Sequence, residues 1–278
     1  MQKFFCCGSI KSGTTFLQRL LDLHPKISCK PEQDFGYLFR KLFDLKKNYN
    51  LRIKDVHNIM GLDEHLMTDD IFIAGYFRII DEYLNEVDHD IEFSGVNDNG
   101  FLLRNAKTFL NGIPESKIIF IVRNPIDTAL SYWDHAQRLY IRRNNPIYLE
   151  TLQTNNKLDI EEFTIRQCNE WSENIINILN LKKSDNKNVL VIKYEDLVRR
   201  KEEKIVDVLN FFGLPIKDDT LQKMINESSL ERMRENSKNP SFYSKSRINS
   251  GRDCIGENII NQIIKSNAKS LKEMQYEI

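Results

Sequence analysis

The sequence predicts a single α/β domain spanning 1–278, with a central parallel sheet flanked by helices. Two patterns carry that expectation. Three apolar runs, residues 4–8, 117–122 and 189–194, are continuous rather than alternating, as strands covered on both faces require. Each run also passes directly into a segment whose apolar residues recur at helical spacing. Strand–helix alternation gives a doubly wound sheet, whose ligand sits where the strand-to-helix turns converge.

The elements justify themselves in order. After the first run, Phe16, Leu17, Leu20 and Leu21 share a helix face that His24-Pro25 brings to an end. After the second, Asn124 offers an N-cap and Pro125 a first helical position. After the third, Ile205, Val206, Leu209 and Phe212 form a face that stops at Gly213-Leu214-Pro215. Residues from about 34 to 93 and from about 133 to 185 read as mostly helical insertions that wall the cleft.

Composition narrows the function classes. Lys+Arg and Asp+Glu balance at 40 each, so no global field draws nucleic acid or an anionic membrane, and an anion site has to be built locally. The five cysteines show no Cys-x-x-Cys spacing, which favours buried thiols in a reducing compartment; adjacent Cys6 and Cys7 would face opposite sides of a strand. The five histidines lack zinc-ligand spacing, so no metal centre is expected. No apolar run approaches the ~18–20 residues needed to span a bilayer, and strand-like sequence starting near Met1 leaves no room for a signal peptide. The expected location is cytoplasmic.

The segment Gly8-Ser9-Ile10-Lys11-Ser12-Gly13-Thr14-Thr15 has the glycine spacing of a phosphate-binding loop between a strand and a helix. Such glycines let the backbone curl until successive N–H groups and the helix amino end face an anion. Kinase-type loops place lysine directly after the second glycine, followed by a hydroxyl that holds Mg²⁺. Here Thr14 occupies the lysine position and the lysine stands earlier, at Lys11. A transferring phosphoryl group carries enough charge to recruit metal, whereas a less charged sulfonyl group can be served by one lysine and backbone donors.

With these residues in view, the sequence resembles the sulfotransferases that use 3′-phosphoadenosine 5′-phosphosulfate. Lys11-Ser12-Gly13-Thr14-Thr15-Phe16 matches their 5′-phosphosulfate loop, and the resemblance implies that Phe16 stacks on adenine. Ile121-Val122-Arg123-Asn124-Pro125, followed by Asp127, Ser131 and Tyr132, matches the motif for the 3′-phosphate. It implies that Arg123 and Ser131 clamp that group, which a guanidinium fork suits. Tyr194-Glu195-Asp196-Leu197 is similar to a segment whose tyrosine approaches adenine, and the stretch from Ser228 and Ser229 to Met233 to an adenine-lining one. The tail through Arg247, Gly251, Arg252 and Gly256 resembles the loop that closes over the nucleotide, although the usual Gly-Asp-Trp is absent.

Sulfonyl transfer needs a base for the acceptor's hydroxyl or amine proton. Phenol-directed members carry a Lys-Thr-His stretch before the second motif, where this chain has Val96-Asn97-Asp98-Asn99. Carbohydrate-directed and some bacterial members instead place a glutamate after the first helix, which Cys29-Lys30-Pro31-Glu32 resembles. Glu32 is therefore the expected base, with Asp98 and then His135 as alternatives. The acceptor expected on this resemblance is a small molecule or carbohydrate, including a glycolipid. Two other readings remain: a phosphoryl-transfer kinase with a variant loop, and a nucleotide-binding module without catalysis.

Overall fold

Strand β1 (Gln2–Cys7) runs through the centre of the molecule, its last five residues buried because helices cover both of its faces. The computed structural model describes residues 1–143, 146–154, 157–185, 187–235 and 252–277. From β1 the chain continues through α1 (Thr14–Leu21), β2 (Ile27–Lys30), α2 (Phe35–Met60), α3 (Asp69–Asn85), β3 (Phe93–Asn97) and α4 (Phe101–Gly112). There follow β4 (Lys117–Val122), α5 (Pro125–Arg143), α6 (Pro146–Leu152) and a minimal hairpin of β5 (Gln153–Thr154) and β6 (Lys157–Leu158). The chain then forms α7 (Ile160–Ser184), β7 (Val189–Lys193), α8 (Tyr194–Arg199), α9 (Lys201–Phe212), α10 (Asp218–Glu227), α11 (Leu230–Glu235) and α12 (Glu257–Glu273).

Five strands pair in the order β2-β3-β1-β4-β7, and every pairing in this sheet is parallel. The three apolar runs are β1, β4 and β7. Gly8 and Tyr194 fall just outside: the β1–β4 ladder ends at Cys7↔Phe120, and Tyr194 opens α8. Strands preceding β4 in sequence lie on one side of β1, and β4 and β7 lie on the other. The topological switch is thus between β1 and β4, the place where a doubly wound sheet opens its ligand crevice.

Each sheet face has its own core. Phe4, Cys6, Ile119 and Ile121 pack with α1 and α9 on one face; Phe5, Cys7, Ile118 and Phe120 pack with α3, α4 and α7 on the other. Cys6 and Cys7 therefore do point to opposite faces, and both are buried thiols. Phe4, Phe5 and Phe120 are fully buried, each contributing about 1.5–3 kcal/mol of transfer free energy to the centre that fixes the strand ends.

Helix boundaries follow local chemistry. Asn124 Oδ1 accepts from the N–H groups of Ile126 (3.0 Å) and Asp127 (3.2 Å), capping α5 as its sequence predicts. Gly213, at φ 73°, ends α9 in the left-handed conformation that glycine tolerates best. The first insertion is built from α2 and α3, and the second from the rest of α5, α6, the hairpin and α7. Among the described residues no helix is long and apolar enough to cross a membrane.

Candidate active site

The loop between β1 and α1 is shaped to leave donors pointing outward. Gly13, the N-cap of α1, has φ 104° and no side chain, so no cap hydrogen bond satisfies the first N–H groups of the helix. Lys11 also sits in the left-handed region at φ 72°, a conformation costly for a side-chain-bearing residue and held here by the curl of the loop. Ser12 is 1% exposed, yet its Oγ has no hydrogen-bond partner among the described residues. A buried hydroxyl and a bare helix amino end in one loop form a ready cradle for an anion. Gly8 is required by the same geometry: a Cβ there would come within 2.4 Å of both Ile121 O and Ser12 Oγ.

The three turns meet around Arg123. Its Nη1 donates to Lys11 O at 3.2 Å, and its guanidinium lies 5.0 Å over the Tyr194 ring. Tyr194 in turn presses on Gly13, where an added Cβ would lie 2.5 Å from the ring. The turns after β1, β4 and β7 are thereby locked together, and Asp127 holds the far side of the guanidinium at 4.0 Å. Phe16 is largely buried and meets Tyr194 edge-on at 6.2 Å between centroids. Ser131 lies about two turns into α5, half-buried.

A buried brace that sequence reasoning did not anticipate supports Arg123. Glu195 Oε1 accepts from Asn124 N at 2.8 Å, and its Oε2 accepts from the Tyr276 hydroxyl at 2.7 Å. The same hydroxyl also reaches Val122 O at 3.2 Å. The two residues flanking Arg123 are thus pinned by a carboxylate and a phenol near the end of the chain. In the sequence Glu195 reads only as an acid in a first helical turn, and nothing marks Tyr276, because their pairing spans 81 residues.

The structure places two of the three candidate bases, Glu32 and Asp98, just past the ends of β2 and β3. Glu32 is exposed, and its Oε2 accepts from Asn99 Nδ2 at 3.2 Å. Asp98 is 2% exposed, and its Oδ2 accepts from Phe35 N at 2.9 Å. Burial, opposed by the Phe35 N–H and reinforced by the nearby charges of Glu32 and Asp34, pushes the Asp98 carboxyl up to about 7. Its oxygens serve the amino ends of α2 and, through Leu102, α4. Partial desolvation by the surrounding protein, although Glu32 stays open to solvent, also raises its carboxyl, with the Asn99 hydrogen bond opposing and Asp34 adding to the shift. Lys30, next to this group in sequence, is instead tied to α3, its Nζ donating to Tyr83 O at 2.6 Å. His135 lies one turn beyond Ser131 on α5, half-buried.

Two weaker assignments land differently. The Ser229 hydroxyl accepts from Arg232 N at 3.3 Å and caps α11. That segment still reaches α1, since Arg19 Nη1 contacts Met233 O at 3.5 Å. Arg247 and Gly251 lie outside the described residues, and Arg252 opens a short 3-10 turn, Arg252–Cys254. Among the described residues no group of three His, Cys, Asp or Glu could hold a metal ion.

Burial of Lys11, with Arg138 and Arg123 nearby, lowers its ammonium to about 8. A bound phosphate would favour the charged form, so affinity for a phosphate ligand should be full below that pH. Above it, affinity should fall by up to about tenfold per unit, as free Lys11 sheds its proton. Calorimetric titration of adenosine 3′,5′-bisphosphate between pH 6.5 and 9.5 checks this, with Lys11→Arg expected to flatten the profile.

Comparison with known proteins shows the family and the fold. The sulfotransferase domain family matches residues 1–275, and the chain belongs to that family. Over 122 residues it is 29% identical to sulfotransferase 6B1 of Danio rerio, covering 44% of this chain and 38% of that protein. Over 135 residues it is 30% identical to human sulfotransferase 1C2, covering 47% and 42%. The chain thus spans less than half the length of these curated relatives. The fold is shared with mouse sulfotransferase SULT7A1 complexed with PAP, at TM-score 0.61 and 16% identity over 97% of this chain and 84% of that one. It is shared also with the sulfotransferase domain of the Synechococcus PCC 7002 olefin synthase, at TM-score 0.58 and 18% identity over 100% and 96%.

Proposed function

We propose that the protein transfers a sulfonyl group from 3′-phosphoadenosine 5′-phosphosulfate to a hydroxyl or amine of an acceptor, which is a carbohydrate or the sugar of a glycolipid. The observation that carries this reading is the junction of Lys11, Arg123 and Tyr194, which joins the phosphate loop to the turns after β4 and β7 and puts a guanidinium beside the loop. A nucleotide phosphorylated at both ends of its ribose needs two anion sites held at fixed spacing. The unpartnered Ser12 Oγ and the uncapped amino end of α1 fit the 5′ end, and Arg123 with Ser131 fits the 3′-phosphate. Tyr194, Phe16, Ser229, Gly251 and Arg252 complete the proposed nucleotide site.

The donor supplies a sulfur atom activated by a phosphate leaving group. This chain's residues then have three tasks. Loop N–H groups, Ser12, Thr14 and Thr15 fix the 5′ end, so that the sulfur faces the cleft. Lys11 neutralises the charge that develops on the phosphate oxygen as the S–O bond breaks. Glu32 takes the proton from the acceptor's nucleophilic atom as that atom bonds to sulfur. Glu32 suits this task better than Asp98, because Asp98 is committed to two helix ends while Glu32 is exposed. Asn99 orients it.

Incubation with donor carrying radiolabelled sulfonate and a panel of glycosides, glycolipids and phenols tests the assignment. Labelled glycoside product supports it, and label confined to phenols would refute the acceptor class. Glu32→Gln should lower turnover by about 10²- to 10⁴-fold while leaving the dissociation constant of adenosine 3′,5′-bisphosphate unchanged. Unchanged turnover would move the base to Asp98.

A further inference from the structure

The proposed 3′-phosphate site depends on where Arg123 points, and two peptide groups decide that. One joins Val122 to Arg123, and the other joins Arg123 to Asn124. Each is planar, so anchoring both restricts the φ and ψ of Arg123 and sets the direction of its Cα–Cβ bond. The first is held at its carbonyl, since the Tyr276 hydroxyl lies 3.2 Å from Val122 O. The second is held at its N–H, which donates to Glu195 Oε1 at 2.8 Å. The two anchors form one unit, because the same hydroxyl donates to Glu195 Oε2 at 2.7 Å.

Tyr276 is itself fastened to the strand ends it braces. Lys193, the last residue of β7, places Nζ 4.2 Å over the Tyr276 ring. The same Nζ donates to Gln275 O at 3.0 Å. The Tyr276 N–H donates to Leu271 O at 2.9 Å, closing the segment onto the end of α12. Burial first, and then the Glu195 carboxylate, raise the phenol, which therefore stays protonated and donating. Glu195 is 7% exposed. A carboxylate so buried is costly unless hydrogen bonds compensate it, and here they come from the Asn124 N–H and the Tyr276 hydroxyl.

We propose that Tyr276 and Glu195 are positioning residues for Arg123, and that their brace sets how strongly the protein prefers a nucleotide with a 3′-phosphate over one without. The inference rests on the reading that Arg123 holds that phosphate, and it adds residues that act through Arg123 rather than on the ligand. A guanidinium fork meets a phosphate through two parallel hydrogen bonds, so a small swing of its stem weakens both.

Calorimetric titration with adenosine 3′,5′-bisphosphate and with adenosine 5′-phosphate gives the ratio of two dissociation constants, which a general loss of stability does not move. Tyr276→Phe keeps the ring beneath Lys193 and removes the hydroxyl. It should lower the preference for the bisphosphate about three- to tenfold. Glu195→Leu should lower it in the same direction. Glu195→Gln should retain it: the amide oxygen accepts from the Asn124 N–H, and the amide N–H donates to the Tyr276 oxygen, leaving the phenol proton for Val122 O. Leucine and glutamine both remove the charge, so their difference isolates the hydrogen bonds. In an Arg123→Ala background, Tyr276→Phe should leave the ratio unchanged, because its effect passes through Arg123.

An unchanged ratio in Tyr276→Phe would overturn the proposal. So would equal losses in Glu195→Gln and Glu195→Leu, or a loss from Tyr276→Phe that persists without Arg123. Tyr276→Phe, at a half-buried position, decides the matter alone if Glu195→Leu does not fold. Equal losses for the two ligands in Arg123→Ala itself would instead overturn the assignment of the 3′-phosphate to Arg123, so the two failures are distinguishable.

Discussion

Replacing Lys11 by alanine should lower sulfonyl transfer by about 10²- to 10³-fold, the loss typical of removing one charge-stabilising donor from a preorganised site. The effect should fall mainly on turnover if, as proposed, Lys11 acts where charge appears as the leaving phosphate separates. The backbone of residue 11 sits at φ 72° and its carbonyl accepts from Arg123. Alanine keeps that carbonyl, so the position of Arg123 remains supported. Single-turnover rates at saturating donor would check the expectation. A variant with normal rate and weakened donor binding would mean that Lys11 only anchors the ground state.

Arg123→Ala should cost about 10- to 100-fold in affinity for adenosine 3′,5′-bisphosphate, as expected for charge-assisted hydrogen bonds to a phosphate. It should cost much less for adenosine 5′-phosphate, which lacks the group Arg123 is assigned to hold. Some loss common to both ligands follows from the contact with Lys11 O. The difference between the two ligands therefore isolates the 3′-phosphate. Calorimetry on both settles the assignment, and equal losses would show that Arg123 serves only to hold the loop.

The centre of the fold and the loops of the candidate site were legible because they are local. Apolar runs covered on both faces identify β1, β4 and β7, and the turn after each is where chemistry has to sit. Lys11 and Gly13 stand out by spacing alone. Strands β2 and β3 carry a weaker signal. β2 is four residues long with alternating burial, and β3 is Phe-Ser-Gly-Val-Asn, broken by Gly95. That glycine is needed because a Cβ would lie 2.4 Å from Phe4 O and 2.6 Å from its ring, a constraint imposed by the neighbouring strand. The brace from Tyr276 through Glu195 to Asn124 was illegible for the same reason.

The acid cluster is an intermediate case. Glu32 and Asp98 are both visible as carboxylates near strand ends. What separates them is that Asp98 accepts from the amino end of α2 across 63 residues of sequence. Only the tertiary arrangement shows which carboxylate is already occupied.

The most direct test of the donor assignment is the thermal stability of the protein with adenosine 3′,5′-bisphosphate compared with ATP and Mg²⁺. Selective binding should raise the melting temperature by several degrees with the bisphosphate at about 100 times its dissociation constant. ATP with Mg²⁺ should have little effect. Stabilisation by ATP with Mg²⁺ alone would contradict the account and return the loop to phosphoryl transfer.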